Sequence, residues 1–248
     1  MSRYYELMQD MVKEQPLLSS RVLQPALPSP DTAGARKTAV RFETDVMQGL
    51  AQKVFLQHEP PVRRVVVFAA VDQGNGCSQI ATLTAQCLAA QSAGSVCLVD
   101  ANFRSPALPR MLGTTNYHGL SNALAEQEGI RSFLKPVWDD SFWLLSSGAA
   151  AHDSPSLLSS EKMRARLTEL REEFAFVVVD APPLTRHTDA MGLAKLSDGV
   201  VIILQAESTR REAARTVVRD LRSMGIPVLG AVLNQRTFPI PETIYQWL

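Results

Sequence analysis

The chain is expected to adopt an α/β fold in three layers, a mostly parallel sheet with helices on both faces, and three observations predict it. From Val65 onward, short β-branched apolar runs alternate with segments whose apolar residues recur at helical spacing. The strand-like runs are apolar along their whole length, as strands covered on both faces are. The first run leads into a Gly-rich turn and two others end in Asp, so polar chemistry gathers where the carboxyl ends of a parallel sheet collect ligands.

Tyr4, Leu7, Met8 and Met11 sit at helical spacing and predict a short amphipathic helix from Tyr4 to about Glu14. Pro16, Pro25, Pro28 and Pro30 follow in an extended linker. A second helix is expected over Val40 to Leu56. Strands are expected near Val65–Ala70, Val96–Asp100, Phe142–Ser146, Phe176–Asp180, Val200–Leu204 and Val228–Leu233. Helices should cover Ser78–Gln91, with Ile80, Leu83, Cys87 and Leu88 on one stripe, then Glu161–Glu172, Ala190–Leu196 and Arg210–Met224. The division that follows is an N-terminal helix and linker over residues 1–36, one main domain over 37–236 and a tail over 237–248.

With 248 residues, 46% of them hydrophobic, the chain can bury one substantial core. Its 25 basic and 25 acidic residues cancel, so bulk charge favours neither nucleic acid nor an anionic membrane as a direct partner. No apolar run approaches the ~20 residues of a membrane span, and the first residues lack the apolar core of a signal peptide. A cytoplasmic location is the expectation. Cys77, Cys87 and Cys97 fit no metal spacing and read as small core hydrophobes, with a reactive thiol at Cys77 as the alternative. His58, His118, His152 and His187 are scattered and take no ligand role.

The run from Val65 to Gln79 has the makings of a phosphate loop: an apolar strand, a Gly-rich turn, a hydroxyl residue and a helix. Backbone N–H groups at such a helix N-terminus cradle an anion, and the helix dipole adds to the attraction. Gly74, Asn75, Gly76, Cys77, Ser78 and Gln79 are therefore the candidate nucleotide-binding residues. Cys77 stands where a loop of this type carries lysine. A cation there neutralises charge that shifts in phosphoryl transfer, and one such group is worth ~10³–10⁵ in rate, roughly 4–7 kcal/mol. The chain has no lysine between Lys53 and Lys135, which leaves Arg104, Arg110 or an arginine from another subunit as replacements.

In this order of motifs the chain resembles the cytoplasmic kinase domain of bacterial tyrosine kinases that regulate capsule and exopolysaccharide export, within the MinD-like branch of P-loop ATPases. Cys97-Leu98-Val99-Asp100-Ala101-Asn102-Phe103-Arg104-Ser105-Pro106 is similar to that family's D-x-D-x-R-x-P motif, and Val177-Val178-Val179-Asp180-Ala181-Pro182-Pro183 to its Walker B strand and following turn. Gly119–Leu124, Asp198–Val201 and Gly230–Asn234 extend the match. The resemblance implies a P-loop NTPase-like fold, ATP or ADP with Mg²⁺ as cofactors, and an inner-membrane co-polymerase or chain-length protein as partner. Residue by residue, it implies that Ser78, Asp100 and Asp180 surround the metal, that Asp100 is the candidate base for a tyrosine hydroxyl, and that Asn234 meets the adenine. The plain alternative for both aspartates is a strand-end residue capping the next turn.

The departures fall on chemistry. Lysine is Cys77, threonine is Gln79, and the second acid of D-x-D is Asn102, so a cation and an anion are missing together. The tail carries Tyr245 alone where the kinases have a tyrosine cluster, with Trp247 beside it as a possible anchor. The helix before the first strand keeps little of the family's E-x-x-R-x-x-R-T-N pattern, so ring assembly is not expected, while homo-oligomerisation in general stays open. A degenerate regulatory protein, bound to nucleotide weakly or not at all, is the first expectation. The alternatives are an active kinase or ATPase with a replacement cation, and a MinD-like positioning or secretion-associated ATPase. Against the last, Val71 and Asp72 stand where such proteins carry a signature lysine.

Overall fold

The computed structural model describes residues 45–56, 63–91, 94–138, 140–149, 154–186 and 188–235. The expected helix near Tyr4, the linker and the tail with Tyr245 and Trp247 lie outside these. Helix α1 covers residues 45–55. There follow β1 (Val65–Ala70), α2 (Cys77–Gln91), β2 (Val96–Asp100), α3 (Leu108–Met111), α4 (Leu120–Ala125), β3 (Lys135–Trp138) and β4 (Phe142–Leu145). Then come α5 (Glu161–Glu173), β5 (Phe176–Ala181), α6 (Thr188–Lys195), β6 (Val200–Gln205), α7 (Arg211–Ser223) and β7 (Val228–Asn234).

The strands form one sheet of seven in the order β3-β4-β2-β5-β1-β6-β7. All pairings are parallel except β3 with β4. Alternation along each strand sends side chains to opposite faces. Val65, Val67 and Ala69 of β1 enter one apolar cluster with Leu167 and Leu170 of α5, Leu193 of α6 and Val217 of α7. Val66, Phe68 and Ala70 enter a second cluster with Met47 and Leu50 of α1, Ile80 and Leu88 of α2 and Leu108 of α3. β1, β2 and β6 repeat this split and are buried from end to end save Gln205, which explains their unbroken apolar sequences. The fold is the expected P-loop NTPase-like one.

Helices α3 and α4 and strand β3 depart from the sequence expectation, which placed no element there. Strand β3 was not foreseen, because Lys135-Pro136-Val137-Trp138 is an edge strand of alternating half-burial, with a proline that no central strand would carry. On α2 the expected stripe of Ile80, Leu83, Cys87 and Leu88 packs on the second cluster, with Leu83 and Cys87 half-buried, and the buried face also holds Ala81, Thr82, Thr84, Ala85 and Ala89. Alanines let the helix lie close to the sheet. The two threonines are buried there because their hydroxyls donate to Ser78 O and Ile80 O, at 2.7 Å each.

Candidate functional site

The turn between β1 and α2 walls a cleft of about 460 Å³ whose lining includes Gly74, Asn75, Gly76, Cys77, Ser78 and Gln79. Gly74 (φ +89°) and Gly76 (φ +83°) give the chain the left-handed turns it needs to enter α2. A Cβ on Gly76 would come within 2.3 Å of Asn234 Nδ2, so that position excludes side chains on packing grounds as well.

Side chains from neighbouring strands hold the turn in place. The Asp72 N–H donates to Asn75 Oδ1 (2.9 Å), and Asn75 Nδ2 donates to Gln205 Oε1 (3.1 Å) at the end of β6. Asn234, at the end of β7, donates through Nδ2 to Asn75 O (2.9 Å). The Thr185 hydroxyl, after β5, donates to Val71 O (2.7 Å). Asn75 and Asn234 are buried, and Asn234 stands behind the turn rather than on the cleft wall. Gln205 and Thr185 were missed by sequence reasoning. The signal available was their position at or just past carboxyl strand ends.

Asp100 and Asp180 are register partners on β2 and β5. Both are buried, and neither is among the residues that line the cleft. Asp100 spends its oxygens on the backbone, Oδ1 accepting from Asn102 N and Oδ2 from Leu108 N, each at 3.2 Å. Burial first, and the neighbouring Asp180 charge second, push its pKa up to about 8. Neither oxygen of Asp180 meets a donor at hydrogen-bonding geometry. Burial raises its pKa to about 6, against the opposing pull of the nearby Ser78 hydroxyl and Cys77 thiol. The Cys77 thiol is itself pushed well up, by loss of hydration and then by the Asp180 charge.

An orphaned carboxylate beside a hydroxyl fits a divalent cation, and the turn fits a phosphate. Ser78 and Asp180 would hold the ion, and Asp100, with its oxygens already engaged, is less available. Among the described residues no three His, Cys, Asp or Glu side chains converge as a ready metal cage. The lysine position offers no charge. Arg104 is the only cation among the described residues that line the cleft; it is exposed, with Nη2 3.9 Å from Asp189. Arg110 is exposed and lies outside the lining. Among the described residues, no helix is long and apolar enough to cross a membrane.

The family model described as ParA, NUBPL iron-transfer P-loop NTPase, matches residues 61–246. Tyrosine-protein kinase YwqD of Bacillus subtilis is 26% identical over 70% of this chain and 78% of its own length. The succinoglycan biosynthesis transport protein ExoP of Rhizobium meliloti is 30% identical over 69% of this chain, a match that spans only 22% of ExoP. Among solved structures, the VpsO kinase domain superposes with a TM-score of 0.72 at 25% identity, over 83% of this chain and all of that one. Nucleotide and Mg²⁺ binding is general to P-loop NTPases, and the matched span includes every strand of the sheet and the turn described above. The chain belongs to the ParA family of P-loop NTPases, and its homologues there are bacterial tyrosine kinases.

Proposed function

We propose that the chain is a degenerate tyrosine-kinase-like regulator of bacterial capsule or exopolysaccharide production, acting through contacts with an inner-membrane co-polymerase rather than through phosphoryl transfer. The observation that carries the reading is residue 77. Where the loop of an active relative presents an ammonium to the phosphates, this loop presents an uncharged thiol beside the orphaned Asp180. Asn102 in place of the second acid lowers the demand for a metal ion, and nucleotide binding is weak or absent in consequence. The polysaccharide setting is supported by the name of ExoP, and the contact mode by analogy alone.

Calorimetric titration with Mg-ATP, run beside a phosphate-release assay, tests this reading. Little heat and no turnover are expected from the native chain, and Cys77→Lys is expected to bind nucleotide at least about tenfold more tightly. Turnover that disappears in Asp180→Ala would overturn the proposal. A second reading, an active kinase or ATPase, is favoured by Arg104 on the cleft wall. Under it, Arg104→Ala abolishes the turnover that the first reading denies.

A further inference from the structure

The charges of the chain cancel overall but not locally. Helix α7 and the residue before it carry five arginines, Arg210, Arg211, Arg215, Arg219 and Arg222, against two acids, Glu212 and Asp220. At about 3.6 residues per turn, positions 211, 215, 219 and 222 fall within an arc of about 80° and run for about 16 Å along the helix. Arg211 is half-buried and the other three are exposed. The apolar side of α7 is already used, because Ala214, Val217, Val218 and Leu221 are buried in the first apolar cluster. Helix α5, equally long and packed on the same cluster, has an ordinary outer face: Glu161, Lys162, Arg164, Glu172 and Glu173 are exposed there with both signs mixed.

We propose that this row of arginines is a docking surface for a lipid bilayer rich in anionic headgroups. Such a surface attracts clustered Lys and Arg through its negative potential, each basic group adding a further increment. A straight row on a convex helix matches it, because anionic lipids are mobile and gather beneath each guanidinium without a fixed register. With its apolar side held by the core, α7 lies on the headgroups and does not insert. The contact is therefore electrostatic, reversible and sensitive to salt. The acids of α7 do not close the row. Glu212 borders it, and Asp220 Oδ1 lies 3.8 Å from Arg219 Nε, with side-chain exposures of 51% and 75%. Arg211, Arg215 and Arg222 also have contacts of their own. Ion pairs between exposed side chains are weak, and a surface that presents many anions takes their place. The inference depends neither on loss of turnover nor on the membrane partner proposed above.

The test is sedimentation of the full chain with vesicles of phosphatidylcholine alone and of an equal mixture with phosphatidylglycerol, at low ionic strength. Partition onto the mixed vesicles is expected to exceed that onto the neutral ones by about tenfold or more, and to fall to the neutral level in about 1 M salt. Arg215→Gln combined with Arg219→Gln should weaken binding to the mixed vesicles by about tenfold or more, whereas Arg215→Lys with Arg219→Lys should preserve it. Lys162→Gln with Arg164→Gln removes the same charge from α5 and should leave binding unchanged. Melting curves of each variant confirm that it is folded. Equal binding to neutral vesicles, binding that survives high salt, a loss as large in the lysine pair or in the α5 pair, or tighter binding to duplex DNA or polyglutamate than to the mixed vesicles would each overturn the proposal. A chain that hydrolyses ATP and still binds anionic vesicles through α7 would overturn the regulatory reading and leave this one standing.

Discussion

The two ends of the sheet treat a carboxylate withdrawn from water, partly at one end and wholly at the other, in opposite ways. At the amino end, Asp198 accepts from the backbone N–H of Arg64 and Val65, both at 2.8 Å, and from Arg171 Nη1 and Nη2 at 3.0 and 2.7 Å. Burial pushes its pKa up, but the Arg171 bonds and the two N–H groups more than reverse that and hold it below the usual value. At the carboxyl end, burial pushes Asp180 up against the opposing pull of Ser78 and Cys77, and burial and then the Asp180 charge push Asp100 up. Burial acts on all three; what differs is that Asp198 alone receives a guanidinium, since Asp100 has two backbone donors and is still pushed up. Asp198 is a structural clamp joining β1, α5 and the entry to β6, whereas Asp180 is buried beside another carboxylate.

Breaking the clamp gives the largest effect. Asp198→Ala leaves the Arg171 guanidinium and two backbone donors without their acceptor, and about 3 kcal/mol of stability should be lost in urea unfolding. Asp198 and Arg171 keep partial contact with solvent, at 26% and 31% side-chain exposure, which holds the figure below that of a fully buried pair. Because its folded pKa is lowered, this contribution is present above the unfolded value of 3.8 and disappears as pH falls toward the folded one.

The same change at the other end should have the opposite sign. Asp180 and Asp100 have folded pKa values raised from 3.8 to about 6 and about 8. Their protonated forms favour the fold, so the benefit is complete below the unfolded value and is lost as pH climbs through those two values. The melting temperature of the metal-free chain should therefore decline between pH 5 and pH 8 or so. Asp180→Asn should flatten that decline and stabilise the protein by about 2 kcal/mol near pH 8. A variant that destabilises at that pH would erase the distinction between the two ends.

The comparison also marks what the sequence could and could not reveal. The central strands were legible because burial on both faces requires Val65–Ala70, Val96–Asp100 and their neighbours to be apolar throughout. The convergence of Gly74–Ser78 with Asp100 and Asp180 followed from the rule that parallel strands bring their carboxyl ends together. Strand β3 was not legible, since an edge strand with Pro136 and Lys135 lacks the apolar run that marks a central one. Nor was the role of Asn234 in holding the turn: an amide at a strand end gives no hint of which backbone oxygen, here that of Asn75, it will reach. The orphan state of Asp180 is likewise a property of three-dimensional surroundings. Its motif is identical whether or not a donor stands opposite.

The smallest effect separates two glycines of the same turn. Gly74 and Gly76 both have left-handed φ, so alanine at either incurs about 1 kcal/mol of backbone strain. At Gly74 no atom lies within 4 Å of the added Cβ, and that strain is the whole cost. At Gly76 the methyl group meets Asn234 Nδ2 and displaces it from Asn75 O, removing one buried hydrogen bond as well. Gly76→Ala should therefore lose about 1 kcal/mol more than Gly74→Ala in denaturant unfolding. Amide exchange should also quicken more in the turn of Gly76→Ala than in that of Gly74→Ala. Equal losses in the two variants would mean that Asn234 yields freely, and that the turn is shaped by its backbone alone rather than braced from β7.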